Sequence, residues 1–192
     1  MYSLKLADAD ITYYPDFIDS QKADAYFAHF RSTIPWQQDD IKVFGKVYPQ
    51  PRLTALYGAE GKTYSYSNIT MQPKLFTGEL LEIKNSIEAI AQVEFNACLL
   101  NLYRNGQDSN GWHSDDEREL GQNPIIGSIS LGQERPFHLR HKKNKYMKHK
   151  LLLNHGSLLL MKGKSQHFWQ HQVPKTTKPI GERINLTFRM LK

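Results

Sequence analysis

The chain has 192 residues, 40% of them hydrophobic, 11% aromatic and 23% charged, with a formal net charge of +6. That hydrophobic content suffices for one core of ordinary domain size and excludes a disordered chain. The lone cysteine, Cys98, lies in an apolar run, which leaves an internal disulfide framework and a cysteine-ligated zinc site unsupported, and no segment approaches the roughly 20 apolar residues of a membrane span.

The first ten residues carry two acids and no leader-like apolar stretch, so a cytoplasmic protein is expected, and with no targeting extension a bacterial one. The positive surplus favours a polyanionic partner through steering and counterion release. Asp19 or Ser20 caps a first helix whose apolar face uses Ala23, Phe27, Phe30 and Ile34, and Pro35 ends it. From 41 to 70 come short strand-like pieces broken by Pro49, Pro51, Gly58 and Gly61. A second helix runs over about 78–93 with Leu80, Ile83, Ile87, Ile90 and Ala91 along one side. Short β runs then follow at 98–104, 125–131, 137–141, 150–153, 157–161, 168–171 and 183–191. Many short strands at close spacing predict a sandwich, barrel or jelly roll. The expected fold is α+β and mainly β: a single domain over 1–192 with two helices against an antiparallel core.

Two of these strands are divided in character. Alternation puts Arg183, Asn185, Thr187 and Arg189 on one face of the last strand and Ile184, Leu186, Phe188 and Met190 on the other. Asn101 and Tyr103 likewise oppose Leu100 and Leu102. A solvated strand ordinarily has such a polar face. If the two faces converge, they make a pocket in which buried guanidinium groups need an anionic partner, and a dicarboxylate is a good match for an arginine fork.

In Gly111-Trp112-His113-Ser114-Asp115-Asp116-Glu117, the histidine and first aspartate lie two apart and project from one face of extended chain. A distal histidine would complete a two-histidine, one-carboxylate triad, which leaves adjacent positions on iron open. His155, His167 and His171 are the candidates. His155 resembles a turn residue, while His167 and His171, four apart, share a facing if that stretch is extended.

Taken together, Asn101-Leu102-Tyr103, the stretch from Gly111 to Leu120, His155-Gly156-Ser157-Leu158-Leu159, Trp169-Gln170-His171-Gln172-Val173-Pro174 and Arg183-Ile184-Asn185-Leu186-Thr187-Phe188-Arg189 resemble the AlkB family of nucleic-acid dealkylating dioxygenases, especially its double-strand DNA repair homologues. The resemblance covers about 44–189. It implies a double-stranded β-helix, or jelly roll, buttressed by the two helices, with a nucleotide-recognition lid in 1–95 and the catalytic core in 96–192. It implies iron(II) held by His113, Asp115 and His171, and 2-oxoglutarate held by Asn101, Tyr103, Arg183, Asn185 and Arg189, with dioxygen as the other cosubstrate. The implied activity is oxidative demethylation of bases such as 1-methyladenine and 3-methylcytosine in DNA, with release of formaldehyde.

A methyl group on a pairing edge is hidden in a duplex, so the base must be flipped out. Val43-Phe44-Gly45-Lys46 resembles the finger that fills the vacated stack, with Phe44 as the wedge. Tyr64, Tyr66 and Ser67 resemble the lid, Arg52 a further lid contact, Glu117 an acidic substrate contact and Arg140 a residue near the nucleotide. The run from Arg140 to Lys145, continued by Lys148, His149 and Lys150, is the densest basic patch and suits binding to phosphates. Lys175 and Lys178 form a thinner cluster than close duplex-repair relatives carry, which leaves double- versus single-stranded DNA open. The expected partner is alkylated DNA, with no membrane and a monomeric state. An RNA demethylase with the same machinery and a non-enzymatic jelly-roll nucleic-acid-binding module are the alternatives.

Overall fold

Asp19 starts the first helix, because its carboxylate accepts the Lys22 N–H at 2.9 Å, one of the amides a helix start leaves unpaired. The computed structural model describes residues 1–43, 46–59, 64–66, 69–71 and 73–192. Its first elements are β1 (Tyr2–Ser3), β2 (Asp10–Tyr14) and the helix α1 (Ser20–Thr33). Ile34, which precedes Pro35, turns to an extended conformation and stops the helix. The buried face of α1 is Ala23, Tyr26 and Phe30, with Phe27 only half-buried against the expectation. Tyr26 is buried in its place, and its hydroxyl donates to Glu82 Oε2 at 2.6 Å.

The next segment carries β3 (Asp40–Val43) paired with β4 (Lys46–Pro49), then β5 (Leu53–Gly58), then β6 (Tyr64–Tyr66) paired with β7 (Ile69–Met71), then β8 (Lys74–Leu75). Helix α2 (Gly78–Ala91) ends at Gln92, whose backbone is left-handed. Leu80, Ile83, Ile87 and Ala91 are buried, whereas Ile90 is 39% exposed and leaves the expected face.

The remaining elements are β9 (Ala97–Tyr103), β10 (Asn110–His113), β11 (Ile126–Gly132), β12 (Arg135–His141), β13 (Lys148–Leu153), β14 (Ser157–Lys162), the turn α3 (Ser165–Phe168), β15 (Trp169–Val173) and β16 (Arg183–Arg189). They complete two facing sheets. The larger has the order β1-β2-β14-β11-β16-β9-β5-β8, and the smaller β10-β15-β12-β13. Only β5–β8 pairs parallel among the described strands. This is one of the architectures that the strand pattern allows, and it is consistent with the jelly roll that the family resemblance implies. The first half of the chain is more than helices and a lid, because β2 pairs with β14 and β5 with β9 inside the larger sheet.

That sheet is buried on both faces. Its outer face packs Leu100, Leu102, Ile129, Leu158, Leu160, Ile184, Leu186 and Phe188 against α1 and α2. Each such side chain contributes roughly 1.5–3 kcal/mol by leaving water. The inner face meets the smaller sheet through Leu99, Tyr103, Leu159 and Met161, which pack with Phe137, Leu139, Leu151, Leu153 and Val173. Among the described residues, no helix is long and apolar enough to cross a membrane.

Candidate metal and cosubstrate site

The polar faces of β9 and β16 converge on the inner side of the larger sheet. In register, Tyr103 lies opposite Arg183 and Asn101 opposite Asn185. Arg183 is 1% exposed, Arg189 4%, Asn101 4% and Asn185 7%, so this is no wet face. Asn101 Nδ2 donates to Asn185 Oδ1 at 3.4 Å, and Asn185 Nδ2 donates to Ser128 Oγ and the Ile129 carbonyl, each at 2.9 Å.

Across from them, β10 and β15 pair so that His113 lies directly opposite His171. Asp115 follows just beyond the end of β10. One ligand atom from each of His113, Asp115 and His171 falls within 4.8 Å of the others. The His113 and His171 rings meet edge to face at 4.2 Å between centroids, and Phe137 stacks on His171 at 5.1 Å. His113 Nδ1 lies 2.8 Å from the Gly111 carbonyl, which can only accept, so Nδ1 carries the proton and Nε2 offers its lone pair to the site. Asn110 Nδ2 is 3.2 Å from that same Nε2.

The electrostatics suit a cation. Burial alone would push the Asp115 carboxyl up, but Arg189, His171 and His113 outweigh it and hold the group well below the ordinary carboxylate range. Arg189 Nη2 donates to Asp115 Oδ1 at 2.8 Å. Burial, reinforced by His113, pushes His171 down to about 3, and burial also lowers His113, so both rings are neutral and able to ligate at neutral pH. Two nitrogens, one carboxylate and no sulfur make a donor set that fits iron(II).

Arg183 supplies the fit test for a dicarboxylate. Its Nη2 donates to Ser130 Oγ at 2.9 Å and its guanidinium stands 5.2 Å from the centre of the Tyr103 ring. Its Nε and Nη1 are buried and have no hydrogen-bond partner among the described residues. Burial lowers its pKa to about 10, which leaves it charged at neutral pH. Two unsatisfied donors on a buried cation match the fork that one carboxylate fills. The cavity lined by Asn101, Tyr103, Arg183, Asn185 and Arg189 also reaches His113, Asp115 and His171, so the candidate metal ligands and the residues expected to hold the cosubstrate share one space.

The other histidines are used elsewhere. His155 Nδ1 accepts the Gly132 N–H at 2.8 Å, at a turn where Gly132 has φ +81 and a side chain would collide with the Glu182 carbonyl. The helical turn α3 interrupts the extended spacing that would have aligned His167 with His171. His167 is exposed, and its Nε2 accepts the Asn123 N–H at 3.3 Å.

The expected substrate contacts are more scattered. Phe44 and Ser67 lie outside the described residues, and Tyr64 and Tyr66 fall on β6. Arg52, expected as a lid contact, is 3% exposed, and its Nε donates to Asn101 Oδ1 at 2.7 Å. Glu117 is half-buried, its Oε2 has no hydrogen-bond partner among the described residues, and burial together with Asp115 raises its pKa. Arg140 projects from the smaller sheet on the side opposite His171, bonded to Gln170 Oε1 at 2.9 and 2.8 Å and stacked over Trp112 at 4.2 Å.

Several residues of the site carry weak signals in the sequence. Ser128 and Ser130 alternate with Gly127, Ile129 and Leu131 as Asn101 alternates with its leucines, and they support Asn185 and Arg183. Arg135 begins a strand with nothing to mark it. It is fully buried, donates to the Asn105, Asp108 and Pro174 carbonyls, and flanks the Tyr103 ring on which Arg183 also lies.

Comparison with known proteins agrees with this geometry. The 2OG-Fe(II) oxygenase superfamily profile matches residues 10–189. The alpha-ketoglutarate-dependent dioxygenase alkB homolog 3 of Bos taurus is 44% identical over 189 residues, covering 91% of this chain and 64% of that protein. The DNA oxidative demethylase ALKBH2 of Bos taurus is 39% identical over 159 residues, covering 79% of this chain and 57% of that protein. The chain thus spans less than two thirds of either relative's length, and the resemblance is shared between the two homologues. Among solved structures, OsALKBH1 aligns with a TM-score of 0.70 at 17% identity, covering 94% of this chain and 96% of that one, a likeness of fold. With a profile match over most of its length, and with the alkB homolog 3 of Homo sapiens 41% identical over 206 residues, covering 98% of this chain and 70% of that protein, the chain belongs to the 2OG-Fe(II) oxygenase superfamily and, within it, to the AlkB family.

Proposed function

We propose that this protein removes N-alkyl groups oxidatively from nucleic-acid bases such as 1-methyladenine and 3-methylcytosine in DNA. The observation that carries the reading is the shared cavity, in which two histidines and a carboxylate meet two buried arginines, one of them with unsatisfied donors. The likeness to the alkB homolog 3 and ALKBH2 proteins supports the substrate class.

In this reading His113, Asp115 and His171 hold iron(II), and Asn101, Tyr103, Arg183, Asn185 and Arg189 hold 2-oxoglutarate. Iron(II) with 2-oxoglutarate and dioxygen supplies the oxidant that hydroxylates an N-methyl carbon, which then leaves as formaldehyde. The chain's own part is geometric. Arg183 takes one carboxylate of the cosubstrate in its open fork, and Tyr103 closes one side of that fork. Arg189 keeps Asp115 ionised and oriented. Phe137 and Leu153 line the cavity and keep it partly apolar. Phe44 fills the stack left by the flipped base, Tyr64, Tyr66 and Ser67 cover that base, and Glu117 approaches it from the metal side. Arg52 holds Asn101 in place.

The test is formaldehyde release from single- and double-stranded oligonucleotides carrying one 1-methyladenine, with anaerobically loaded iron(II), 2-oxoglutarate and air. Turnover that disappears in His113→Ala is expected. A Phe44→Ala protein should lose activity on the duplex and keep it on the single strand. No formaldehyde from an iron-loaded protein rejects the DNA assignment, and release from a methylated RNA in its place would assign the same machinery to RNA.

A further inference from the structure

Gln166 is 1% exposed, in the four-residue turn α3. Burying an amide is unfavourable unless its polar atoms are bonded, so where they go is informative. Gln166 Oε1 accepts the backbone N–H of Asp115 at 2.9 Å, and its Nε2 lies 3.5 Å from Met161 Sδ. The main-chain carbonyl of Gln166 accepts from Lys142 Nζ at 2.8 Å, and the same ammonium reaches Asp116 Oδ2 at 2.9 Å.

The turn itself is anchored. Ser165 Oγ accepts the Asp10 N–H at 2.9 Å and donates to the Lys162 carbonyl, so α3 is tied to β2 and β14. The main chain of Asp115 has no ladder bond of its own. It lies two residues past the end of β10, where the ladder with β15 has ended, and although Ser114 Oγ still donates to the Trp169 carbonyl at 2.9 Å, the Asp115 amide goes to Gln166 and not to β15. A buried amide without a partner is costly, and its direction sets where the attached side chain points. Arg189 restrains the Asp115 carboxylate, and Gln166 restrains the main chain that carries it.

We infer that Gln166 is a positioning residue for the metal ligand Asp115. Its amide oxygen takes the N–H that the ended ladder leaves and fixes the backbone from which the carboxylate meets the metal. The inference rests on the metal site and makes no use of the nucleic-acid substrate, so its test is independent of the substrate assignment.

The experiment is a Co(II) titration of the full-length chain, read by visible absorption, with thermal unfolding of the metal-free protein alongside. Gln166→Met matches the side chain in length and removes the acceptor, and it should lower Co(II) affinity about tenfold, the lower end of what losing a partner of a metal ligand does. Gln166→Glu keeps an oxygen at the same place and should restore most of that affinity. Unchanged affinity in Gln166→Met overturns the inference, whatever happens to its unfolding temperature. So does equal weakening in Gln166→Met and Gln166→Glu, because packing and not the acceptor would then be responsible. If Gln166→Met fails to fold, Gln166→Asn withdraws the amide by one methylene and decides the matter: weaker Co(II) binding supports the inference and parental binding rejects it.

Discussion

Replacing Arg183 with Met separates ligand binding from folding, because the two respond with different signs. The guanidinium is 1% exposed, with one bond to Ser130 and two nitrogens that have no hydrogen-bond partner among the described residues. An ion desolvated in this way costs several kcal/mol that a bound carboxylate offsets. Removing one partner of a buried charge pair weakens binding by about 2–5 kcal/mol, or roughly 30-fold to several thousand-fold in Kd. The assay is thermal unfolding with Mn(II) in place of iron, with and without 2-oxoglutarate. At about 100 times its Kd, the cosubstrate adds roughly 2.7 kcal/mol to the parent protein, which is about 5–10 °C for a chain of this size. At the same concentration Arg183→Met should gain under roughly 1 kcal/mol, a shift of about 3 °C at most. Without cosubstrate the variant should unfold at the parental temperature or above it, since a well-packed methionine replaces an unsatisfied charge. A variant that keeps the parental 2-oxoglutarate shift would refute the assignment of Arg183 to the cosubstrate carboxylate.

Two further outcomes follow from other parts of the molecule. Asp108 accepts from Arg104 Nε and Nη2 at 2.7 and 2.9 Å and from the Arg104 N–H; burial opposes its ionisation, but these bonds win and lower its pKa. A carboxyl lowered on folding contributes stability that is complete above its ordinary pKa and vanishes as the pH falls through the lowered value. Asp108→Asn should therefore be less stable near neutral pH by about 1 kcal/mol, a figure kept small because Arg104 is part-exposed, and denaturant titrations should show the difference shrinking toward zero in strong acid. In the basic hairpin, Lys143 and Lys145 are exposed and neither forms a salt bridge among the described residues. Replacing both with Ala should lower oligonucleotide affinity without sequence preference. The log–log salt slope should flatten by roughly 0.7–0.9 for each phosphate no longer neutralised, measured by fluorescence anisotropy across ionic strengths.

Much of this was legible in the sequence because the site is built from alternation. Asn101 and Tyr103, and then Arg183, Asn185 and Arg189, are polar at every second position of strands whose other positions are aliphatic or aromatic. A strand's period of two turns that pattern directly into one face. The His113–Asp115 pair is local in the same way. Choosing the distal ligand is different, since it depends on the path of the chain between His167 and His171. A helical turn of four residues, held by Ser165 bonds to residues far away in sequence, has no periodic signature. The same holds for Arg135 and Gln166, whose partners are backbone groups that only the folded chain brings near. On α1 the expected face used Phe27, whereas Tyr26 is the buried residue and its hydroxyl bonds Glu82 on α2.

The larger sheet shows how the fold sustains so polar an interior. Its helix-facing side is aliphatic and aromatic along the middle strands, from Leu100 and Leu102 through Ile129 to Ile184, Leu186 and Phe188. Stability concentrated there leaves the inner face free to carry Asn101, Ser128, Ser130, Arg183 and Asn185, none of which a plain core would hold. The arrangement also fixes register. Sliding β16 by one residue against β9 would turn Ile184, Leu186 and Phe188 into the cavity and drive Arg183, Asn185 and Arg189 into the helices. That exchange would bury charge against hydrocarbon, so the residues proposed to hold the cosubstrate also enforce the one pairing in which they face the cavity.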